Sequence, residues 1–342
     1  MDKVSIIGLD LAKSVFQAHG ARGDGSVAFR KKLSRANVLA FLREQPPCVV
    51  AMEACGSSHH WGRSIQALGH EVRLIPPAYV KPFVKRQKND VADAEAITEA
   101  ASRPTMRFVA VKGMEQQAAA MAFRTRDLFV RQKTQTINAL RGHLAEYGLV
   151  APKGMAHLGR LAEAIDRPDH GLPDDVIDLA RLLLQQIGEM QARIDGLERE
   201  LRIRTRRDEV ASRLMTVPGI GPICASALLA FAPPAETFTR GRDFSAWLGL
   251  VPRQHSSGGK ERLGRTSKMG QRDLRRLLIT GAMAVVRWAG KRGAPEGSWL
   301  AGMLKRRPPM VVAVALANKM ARIVWALMAR GGVYRDPAAV SE

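Results

Sequence analysis

The sequence predicts an α/β amino-terminal domain, a helical coiled-coil middle and a mostly α carboxyl-terminal domain. Three observations lead to this prediction. Short β-rich runs fill most of the first hundred residues, apolar residues recur at spacings of four and three between residues 176 and 201, and helical patterns occupy most of the remainder. We place the domains at 1–112, 113–213 and 214–342, since a domain usually has about 100 to 200 residues.

Strands and helices alternate through the amino-terminal domain. Three β-rich runs separated by Gly, Asp and Ser indicate a three-stranded meander, and two prolines end the helix that follows it. A later continuous apolar run is typical of a strand buried on both faces. The predicted elements are strands at 4–12, 15–21 and 26–33, a helix at 35–45, a strand at 48–54, a helix at 58–68 and a strand at 71–76. This β-β-β-α-β-α-β order is ribonuclease-H-like.

Four acidic residues stand at the ends of these elements. Asp10 ends the first strand, Glu53 ends the fourth, and Asp90 and Asp93 open a helix in "NDVADAEAITEA". A buried unpaired carboxylate is costly, and neighbouring carboxylates on one helix face repel each other. A cation among them removes both costs, and oxygen ligands suit Mg²⁺ or Mn²⁺. Each acid alone is typical of a cap or a turn, but the set predicts a metal site.

The chain is strongly basic. It carries 53 Lys and Arg against 32 Asp and Glu, for a net charge of +21. Such a charge favours nucleic acid as a partner, because Lys and Arg gain affinity by releasing counterions from phosphates. A highly soluble or ribosome-associated basic protein is the simpler alternative.

Three segments concentrate the predicted nucleic-acid contacts. A basic helix over 115–148 can follow a phosphate backbone, and "PGIGP" at 218–222 resembles a helix-hairpin-helix turn with free N–H groups. Residues 260–307 hold 13 Lys or Arg against 3 Asp or Glu, a local net charge of +10. A solvated basic face and a plain glycine turn are the alternatives for the first two segments. The predicted contacts are Arg124, Arg131, Lys133, Arg141, Gly219, Gly221, Arg253, Lys260, Arg262, Arg265, Lys268, Arg272, Arg275 and Arg276.

A heptad-like seam marks the middle of the chain. Its apolar positions follow the a/d pattern of a coiled coil for nearly four heptads, and they span about 38 Å at 1.5 Å per residue. Such an arm can dimerise or hold a partner domain at a distance, whereas the alternative is a helical hairpin with the preceding basic helix. The seam residues are Val176, Ala180, Leu183, Ile187, Met190, Ile194, Leu197 and Leu201.

Cysteine content and the amino terminus predict a cytoplasmic protein. Three cysteines show no CxxC spacing and no nearby His that would complete a zinc set, which is typical of reduced thiols. The amino terminus lacks the apolar segment and cleavage site of a signal peptide. The apolar run at 311–328 is interrupted by Asn318, Lys319 and Arg322, so we expect no membrane span.

A glycine-rich loop carries two adjacent serines. Ser256 and Ser257 precede Gly258 and Gly259, and the cations around them can stabilise a pentacovalent phosphate. A serine in such a loop is by itself an ordinary loop residue. The pattern of residues therefore leaves the role of both hydroxyls open.

Two groups of motifs resemble a known family. "GLDLAK", "AMEACG" and "NDVADA" resemble, in order and spacing, the Asp, Glu, Asp, Asp set of the RuvC-like domain in transposases of the one-ten family of bacterial insertion sequences. "WLGLVPRQHSSGGKERLGRTSKMGQRDLRRLL" is similar to the carboxyl-terminal domain of the same transposases, whose motif ends in Ser-Gly. The similarity covers nearly the whole chain.

The resemblance assigns expected roles to particular residues. It implies that the four acids, Asp10, Glu53, Asp90 and Asp93, bind Mg²⁺ or Mn²⁺. It also implies that a serine attacks the DNA. Ser257 matches the family motif without a gap and Ser256 matches it with a shift of one residue, so both remain candidates.

The implied function is that of an insertion-sequence transposase. It cuts and rejoins donor and target DNA through a covalent phosphoserine link, guided by an RNA from its own element, while basic helices hold the backbones. Strand exchange implies a dimer or tetramer, acting on the nucleoid in the bacterial cytoplasm.

Two interpretations from other classes stay open, and a third is disfavoured. In a hydrolytic, structure-selective nuclease that resembles a Holliday-junction resolvase, the acids activate water and the serine loop only holds a phosphate. A non-catalytic nucleic-acid-binding protein would not need Asp10. A sugar-kinase-like ATPase also begins with a GLD-type strand, but the sequence shows no second glycine-rich phosphate loop.

Overall fold

Two units make up the chain. The structure, a computed structural model, describes residues 3–85, 89–154, 157–167 and 171–335. The units are Met1–Gln117 and Ala118–Glu342. Each has its own hydrophobic core, and each is described separately below.

A five-stranded mixed sheet forms the centre of the first unit. Its strand order is β3-β2-β1-β4-β5, in which β1 to β3 form an antiparallel meander and β1, β4 and β5 run parallel. The strands are β1 (Val4–Asp10), β2 (Val15–Arg22), β3 (Val27–Ser34), β4 (Val49–Glu53) and β5 (Glu71–Ile75). The predicted α/β class and the order of the elements are confirmed.

Helices cover both faces of this sheet. Trp61 and Ile65 of α2 pack into the core on one face, and Ile97 and Ala100 of α4 pack into a second core on the other. Strand β4 is apolar throughout its buried length because both of its faces are covered. The helices are α1 (Val38–Arg43), α2 (Ser58–Gln66), α3 (Pro77–Val80) and α4 (Asp90–Ala101).

The second unit is mainly helical, as predicted for the carboxyl-terminal part of the chain. A short antiparallel hairpin interrupts the helices, and α5 begins before the unit boundary. The elements are α5 (Met114–Ala145), α6 (Leu158–Ile165), α7 (Asp174–Arg207), α8 (Glu209–Leu214), α9 (Pro222–Phe231), α10 (Gly241–Trp247), β6 (Pro252–Gln254), β7 (Leu263–Thr266), α11 (Arg272–Arg292), α12 (Trp299–Arg306) and α13 (Pro309–Arg330).

Helix α13 contains the apolar run of the sequence. In the described part of the chain, this helix alone is long and apolar enough to cross a membrane by length and composition. It packs against α10 and α11 in the core of the second unit, where Val312, Ala317, Met320 and Val324 are almost fully buried. Its apolar character therefore matches that of a core helix.

The predicted heptad seam lies on a single helix, α7. Four of the eight seam positions, spaced seven residues apart, are buried, and the other four are half-buried. The buried ones are Ala180, Ile187, Ile194 and Leu201. The predicted helix is therefore confirmed, and one face of it is covered.

The partner of this seam is another part of the same chain. Helices α5 and α7 run antiparallel, since Arg126 pairs with Glu198 while Lys133 donates a hydrogen bond to Gln191. Leu140 and Leu144 of α5 share a hydrophobic core with the first half of the seam. The structure thus favours the intramolecular hairpin, and a coiled coil between chains is not confirmed. The heptad spacing predicted an apolar face correctly but could not identify what covers it.

Candidate active site

The two acids at strand ends are neighbours at one edge of the sheet. Strands β1 and β4 pair in parallel with Leu9 opposite Met52, so Asp10 and Glu53 take the next positions on the two strands. Both residues are half-buried. The carboxyl ends of parallel strands are where α/β proteins commonly bind ligands.

Helix α4 brings two more carboxylates to the same group. Asn89 caps this helix by accepting a hydrogen bond from the Ala92 N–H at 2.8 Å, which fixes the helix start at Asp90. Carboxylate oxygens of Asp10, Asp90 and Asp93 all lie within 4.8 Å of one another. Three hard oxygen donors at this separation fit a Mg²⁺ or Mn²⁺ ion.

A glycine allows α4 to pack this closely against β1. A Cβ atom on Gly8 would lie 2.9 Å from the backbone nitrogen of Thr98 and closer still to the carbonyl oxygen of Ala94. The Thr98 hydroxyl also donates a hydrogen bond to the His19 carbonyl at 3.2 Å, which ties α4 to β2. The role of Gly8 was missed in the sequence, although it stands two residues before Asp10 in the GLD motif.

The electrostatics of the cluster favour a bound cation. Burial and, after it, the negative charges of the other three acids raise the pKa of the Asp10 carboxyl to about 6. Glu53 lies outside the 4.8 Å group, yet its charge contributes to this shift. Burial and the charges of Glu53 and Asp10 also raise the pKa of the Cys55 thiol, so Cys55 borders the cluster. A cation would offset the burial of charge and the repulsion that together raise these pKa values.

A neighbouring acid on α4 has protein partners instead. Glu95 forms ion pairs with Arg30 at 3.2 Å and with Lys85, and the hydrogen bond from Lys85 lowers the pKa of its carboxyl. Among the described residues, no Lys or Arg forms such a pair with Asp10, Asp90 or Asp93. A metal ion is therefore the fitting partner for the three clustered acids, whereas Glu95 needs none.

The two candidate serines lie near the tip of the β6–β7 hairpin. The Lys260 N–H donates a hydrogen bond to the Ser257 carbonyl at 3.1 Å and closes the turn. Gly258 and Gly259 between them have φ angles of +57° and +76°. Two successive left-handed residues are what a tight two-residue hairpin turn requires, so the glycines fix the position of the serines.

The two serine hydroxyls differ in their surroundings. The Ser256 oxygen accepts a hydrogen bond from the Arg262 N–H at 3.1 Å, across the hairpin. Within the described ranges, no hydrogen bond reaches the Ser257 hydroxyl, and both residues are exposed. The Ser257 hydroxyl at the tip therefore has no hydrogen-bond partner among the described residues, whereas the Ser256 hydroxyl helps to hold the two strands together.

Several cations predicted to contact nucleic acid have partners within the second unit. Arg276 pairs with the buried Asp127, which also lies 3.6 Å from Arg131. Arg141 donates to the carbonyls of Pro152 and Gly154 at 3.0 and 2.8 Å. These side chains have structural roles that a count of charges does not reveal.

Other predicted contacts lie against backbone or aromatic groups. Arg275 donates to the Leu248 carbonyl at 2.9 Å, Arg253 lies 3.3 Å from the Ser267 carbonyl, and Arg124 stacks over the Phe231 ring at 5.3 Å. Lys133, as described above, reaches Gln191. The predicted cations that are exposed along and after the hairpin are Lys260, Arg262, Arg265, Lys268 and Arg272.

The PGIGP segment forms a turn between α8 and α9. Gly219 has a φ angle of +89°, and a Cβ atom there would lie 2.8 Å from the carbonyl oxygen of Gly281 on α11. Gly221 stands immediately before α9 and is exposed. The turn thus permits close helix packing, and its contact with a phosphate stays a prediction.

Comparison with known proteins identifies the family. Residues 7–149 match the DEDD transposase family of the IS110 type, and residues 211–295 match the family described as transposases of IS116, IS110 and IS902. A probable family 20 transposase of Pseudomonas aeruginosa is 52% identical over 97% of this chain and 99% of its own length.

Two further relatives carry the names of insertion sequences. The transposase for IS1328 of Yersinia enterocolitica is 42% identical over 98% of this chain and 99% of its own length. The transposase for IS1111A of Coxiella burnetii is 38% identical over 98% of this chain and 92% of its own length. The chain is therefore a member of the IS116/IS110/IS902 family of insertion-sequence transposases.

Proposed function

We propose that Asp10, Glu53, Asp90 and Asp93 hold the divalent metal ion that a DEDD transposase domain implies. The observation that carries this proposal is the convergence of three carboxylates within 4.8 Å. The fourth acid, Glu53, ends the strand next to that of Asp10. Bound Mg²⁺ or Mn²⁺ would stabilise negative charge on phosphate oxygens. Asp10 links the two parts of the set, because it is close to the helix acids and ends the strand beside that of Glu53.

Ser257 is proposed as the nucleophile that breaks the DNA strand. Its hydroxyl oxygen forms a bond to the scissile phosphorus, and the bond from phosphorus to one deoxyribose oxygen breaks. The hydroxyl proton is lost to solvent, and the departing deoxyribose oxygen gains a proton. Attack by a deoxyribose hydroxyl of another strand reverses these steps and frees the serine. One phosphodiester is exchanged for another, so no external energy source is needed.

Exposed cations around the hairpin suit the phosphates of the bound strand. Lys260, Arg262 and Arg265 lie within the hairpin itself, and Lys268 and Arg272 follow it. All five are exposed, and their positive charges attract a phosphate to the neighbourhood of the serine. They are therefore proposed to hold the scissile region of the DNA in place.

Site selection is proposed to depend on an RNA from the element that encodes the chain. A net charge of +21 favours the binding of RNA and DNA backbones. Strand exchange joins ends from different duplexes, so it needs more than one serine and implies a dimer or tetramer. The site of action is the bacterial cytoplasm, on donor and target DNA.

A denaturing gel tests the serine and the acids together. Labelled target DNA, the element's RNA and Mg²⁺ are incubated with the wild type, and a protein–DNA band that survives denaturant is expected. Ser257→Ala should abolish the band and strand exchange, while Ser256→Ala should retain both. Asp10→Asn should reduce cleavage by about a thousandfold, since metal stabilisation is worth several kcal/mol and each 1.36 kcal/mol is tenfold.

The pattern across these variants separates the alternatives. If Ser257→Ala cleaves at the wild-type rate while Asp10→Asn does not, water is the nucleophile and the protein is a hydrolytic nuclease. Adduct loss in Ser256→Ala alone would move the attack to that residue. Full cleavage by Asp10→Asn would overturn the metal site.

A further inference from the structure

The carboxyl-terminal end of α11 carries cations around an exposed tryptophan. We call this group the α11 patch, and it consists of Arg287, Trp288, Lys291 and Arg292. All four side chains are exposed. They fall within six consecutive residues, or about 8 Å along the helix at 1.5 Å per residue. None belongs to the acid cluster or to the serine hairpin.

Trp288 is unusual among the tryptophans of the chain. It is 58% exposed, compared with 4% for Trp61 and 38% for Trp299. The Arg292 guanidinium lies 4.0 Å from the ring centroid and covers one face of the indole. No other ring or cation among the described residues stacks on it, so one face of a large aromatic group remains open to a ligand.

The cations of the patch have no acidic partner in the described part of the chain. Arg287, Lys291 and Arg292 form no ion pair with any described residue, whereas Arg276, on the same helix, is bound to Asp127. Cations in the last turn of a helix are stabilised by the helix dipole, and this needs no ligand. That effect accounts for the charges but not for an indole exposed among them.

We propose that the α11 patch binds single-stranded nucleic acid, with one base stacked on Trp288 and the adjoining phosphates held by the three cations. An open aromatic face combined with unpaired cations is how proteins hold unpaired strands. A duplex keeps its bases stacked on one another and cannot present them to a flat ring. The centre of a protein interface is depleted in charge, which argues against a second copy of the chain as the occupant.

This inference deepens the proposed function and rests on it for the presence of an unpaired strand. Strand exchange and RNA guidance both produce unpaired nucleotides, and the chemistry of stacking is the same for RNA and DNA. Binding at the patch requires neither metal nor nucleophile. It is therefore measured in chelator, where failure of the acid cluster or of Ser257 cannot affect the result.

Tryptophan fluorescence tests the patch in the full-length protein. Titration with a short oligouridylate or oligothymidylate should quench the emission, and Trp288→Phe should remove most of that quenching. Trp288→Ala should weaken strand binding by about tenfold, since one stacked base is worth about 1 to 3 kcal/mol. Duplex DNA should bind the wild type and Trp288→Ala with equal affinity. Stronger binding of one oligonucleotide would identify RNA or DNA as the natural source of the strand.

Matched variants separate the patch from general charge. Trp299 also lies under a cation, with Lys319 5.0 Å from its ring, and Trp299→Ala should bind strands like the wild type. Arg287→Gln with Lys291→Gln should reduce the salt slope by about 1.4, at about 0.7 per phosphate on single strands. Lys305→Gln with Arg306→Gln on α12 should leave the slope unchanged.

Three results would overturn the proposal. One is quenching that survives Trp288→Phe, and another is an equal loss of affinity in the Trp288 and Trp299 variants. The third is a smaller particle by light scattering for Trp288→Ala with unchanged strand binding, because it would make the patch a contact between copies of the chain.

Discussion

The acid cluster and the serine hairpin are built in opposite ways. The cluster stands on the ends of two paired strands and on a helix that is locked against them by the contact at Gly8. The hairpin is two short strands, and all residues from 252 to 263 are exposed. One site is held by the core of its unit, whereas the other is held by a turn and a few hydrogen bonds.

This difference follows from the chemistry proposed for each region. Several carboxylates that share one cation must keep their oxygens at fixed separations, and they repel each other whenever the cation is absent. Only a surrounding core can hold them together. A single hydroxyl has no such requirement, and it must reach a phosphate inside a bulky nucleic-acid complex. We therefore expect substitutions in the cluster to affect folding as well as chemistry, and substitutions in the hairpin to affect chemistry without lowering the unfolding temperature.

The largest effect is expected from Gly8→Ala. The added Cβ would collide with the backbone of α4, and overpacking of this kind costs about 3 kcal/mol at the upper end of its range. Helix α4 must move away, so the acids separate and cleavage is lost. Hydrogen exchange followed by mass spectrometry should show faster exchange in peptides from β1 and α4, with peptides from the second unit unchanged.

Gly23→Ala is the matched control for this variant. A Cβ atom on Gly23 meets nothing within 4 Å, and this glycine lies in the same unit, in the turn after β2. The control should exchange and cleave like the wild type. Wild-type exchange in Gly8→Ala would show that the cluster does not depend on close packing of α4.

A smaller effect is expected from the titration of Asp10. Its pKa of about 6 lies above the ordinary value of 3.8, so the folded state holds this proton more tightly than the unfolded state. The stability that it contributes is present below pH 3.8 and is lost as the pH rises through 6. In chelator, the first unit should lose about 1 kcal/mol between acidic and mildly alkaline pH, once solvent screening is allowed for.

Calorimetry on Asp10→Asn isolates this contribution. In chelator at about pH 8 the variant should unfold at a higher temperature than the wild type, and the difference should shrink toward about pH 5. Mg²⁺ should stabilise the wild type but not the variant. Glu99→Gln, an exposed acid on α4 that pairs with Arg103, should behave like the wild type. Parallel pH curves for Asp10→Asn and the wild type would contradict the repulsion.

Local patterns were enough to predict the parts of the molecule that local interactions determine. The order of the elements along the chain, the helix that opens at Asp90 and the acids at strand ends all follow from apolar periodicity and turn residues. The role of Gly8 could not be predicted, because it depends on which helix crosses β1 and how closely. The convergence of Asp10 with Asp90 and Asp93, 80 or more residues later in the chain, likewise needs the tertiary structure.

The same limit applies to the charges and to the pairing of the heptad seam. The heptad seam of α7 shows an apolar face, and only the fold reveals that α5 covers part of it. Arg276 and Arg141 count as positive charges in the sequence, yet one is bound to Asp127 and the other to loop carbonyls. The choice between Ser256 and Ser257 depends on hairpin register, which decides whose oxygen meets the Arg262 N–H.

The smallest effect on folding is expected from Gly258→Ala in the hairpin. Gly258 has a φ angle of +57°, and a Cβ atom there meets nothing within 4 Å, so the cost is conformational. An L-residue in the left-handed region costs about 1 kcal/mol, which should reduce the correctly folded turn and the rate of adduct formation about fivefold. Gly258→Asn should recover most of that rate, because Asn adopts this conformation readily.

Both variants should unfold at the wild-type temperature, since the hairpin lies outside the core. A drop in unfolding temperature for Gly258→Ala, or equal adduct rates for the Ala and Asn variants, would show that the hairpin is coupled to the core as tightly as the acid cluster is.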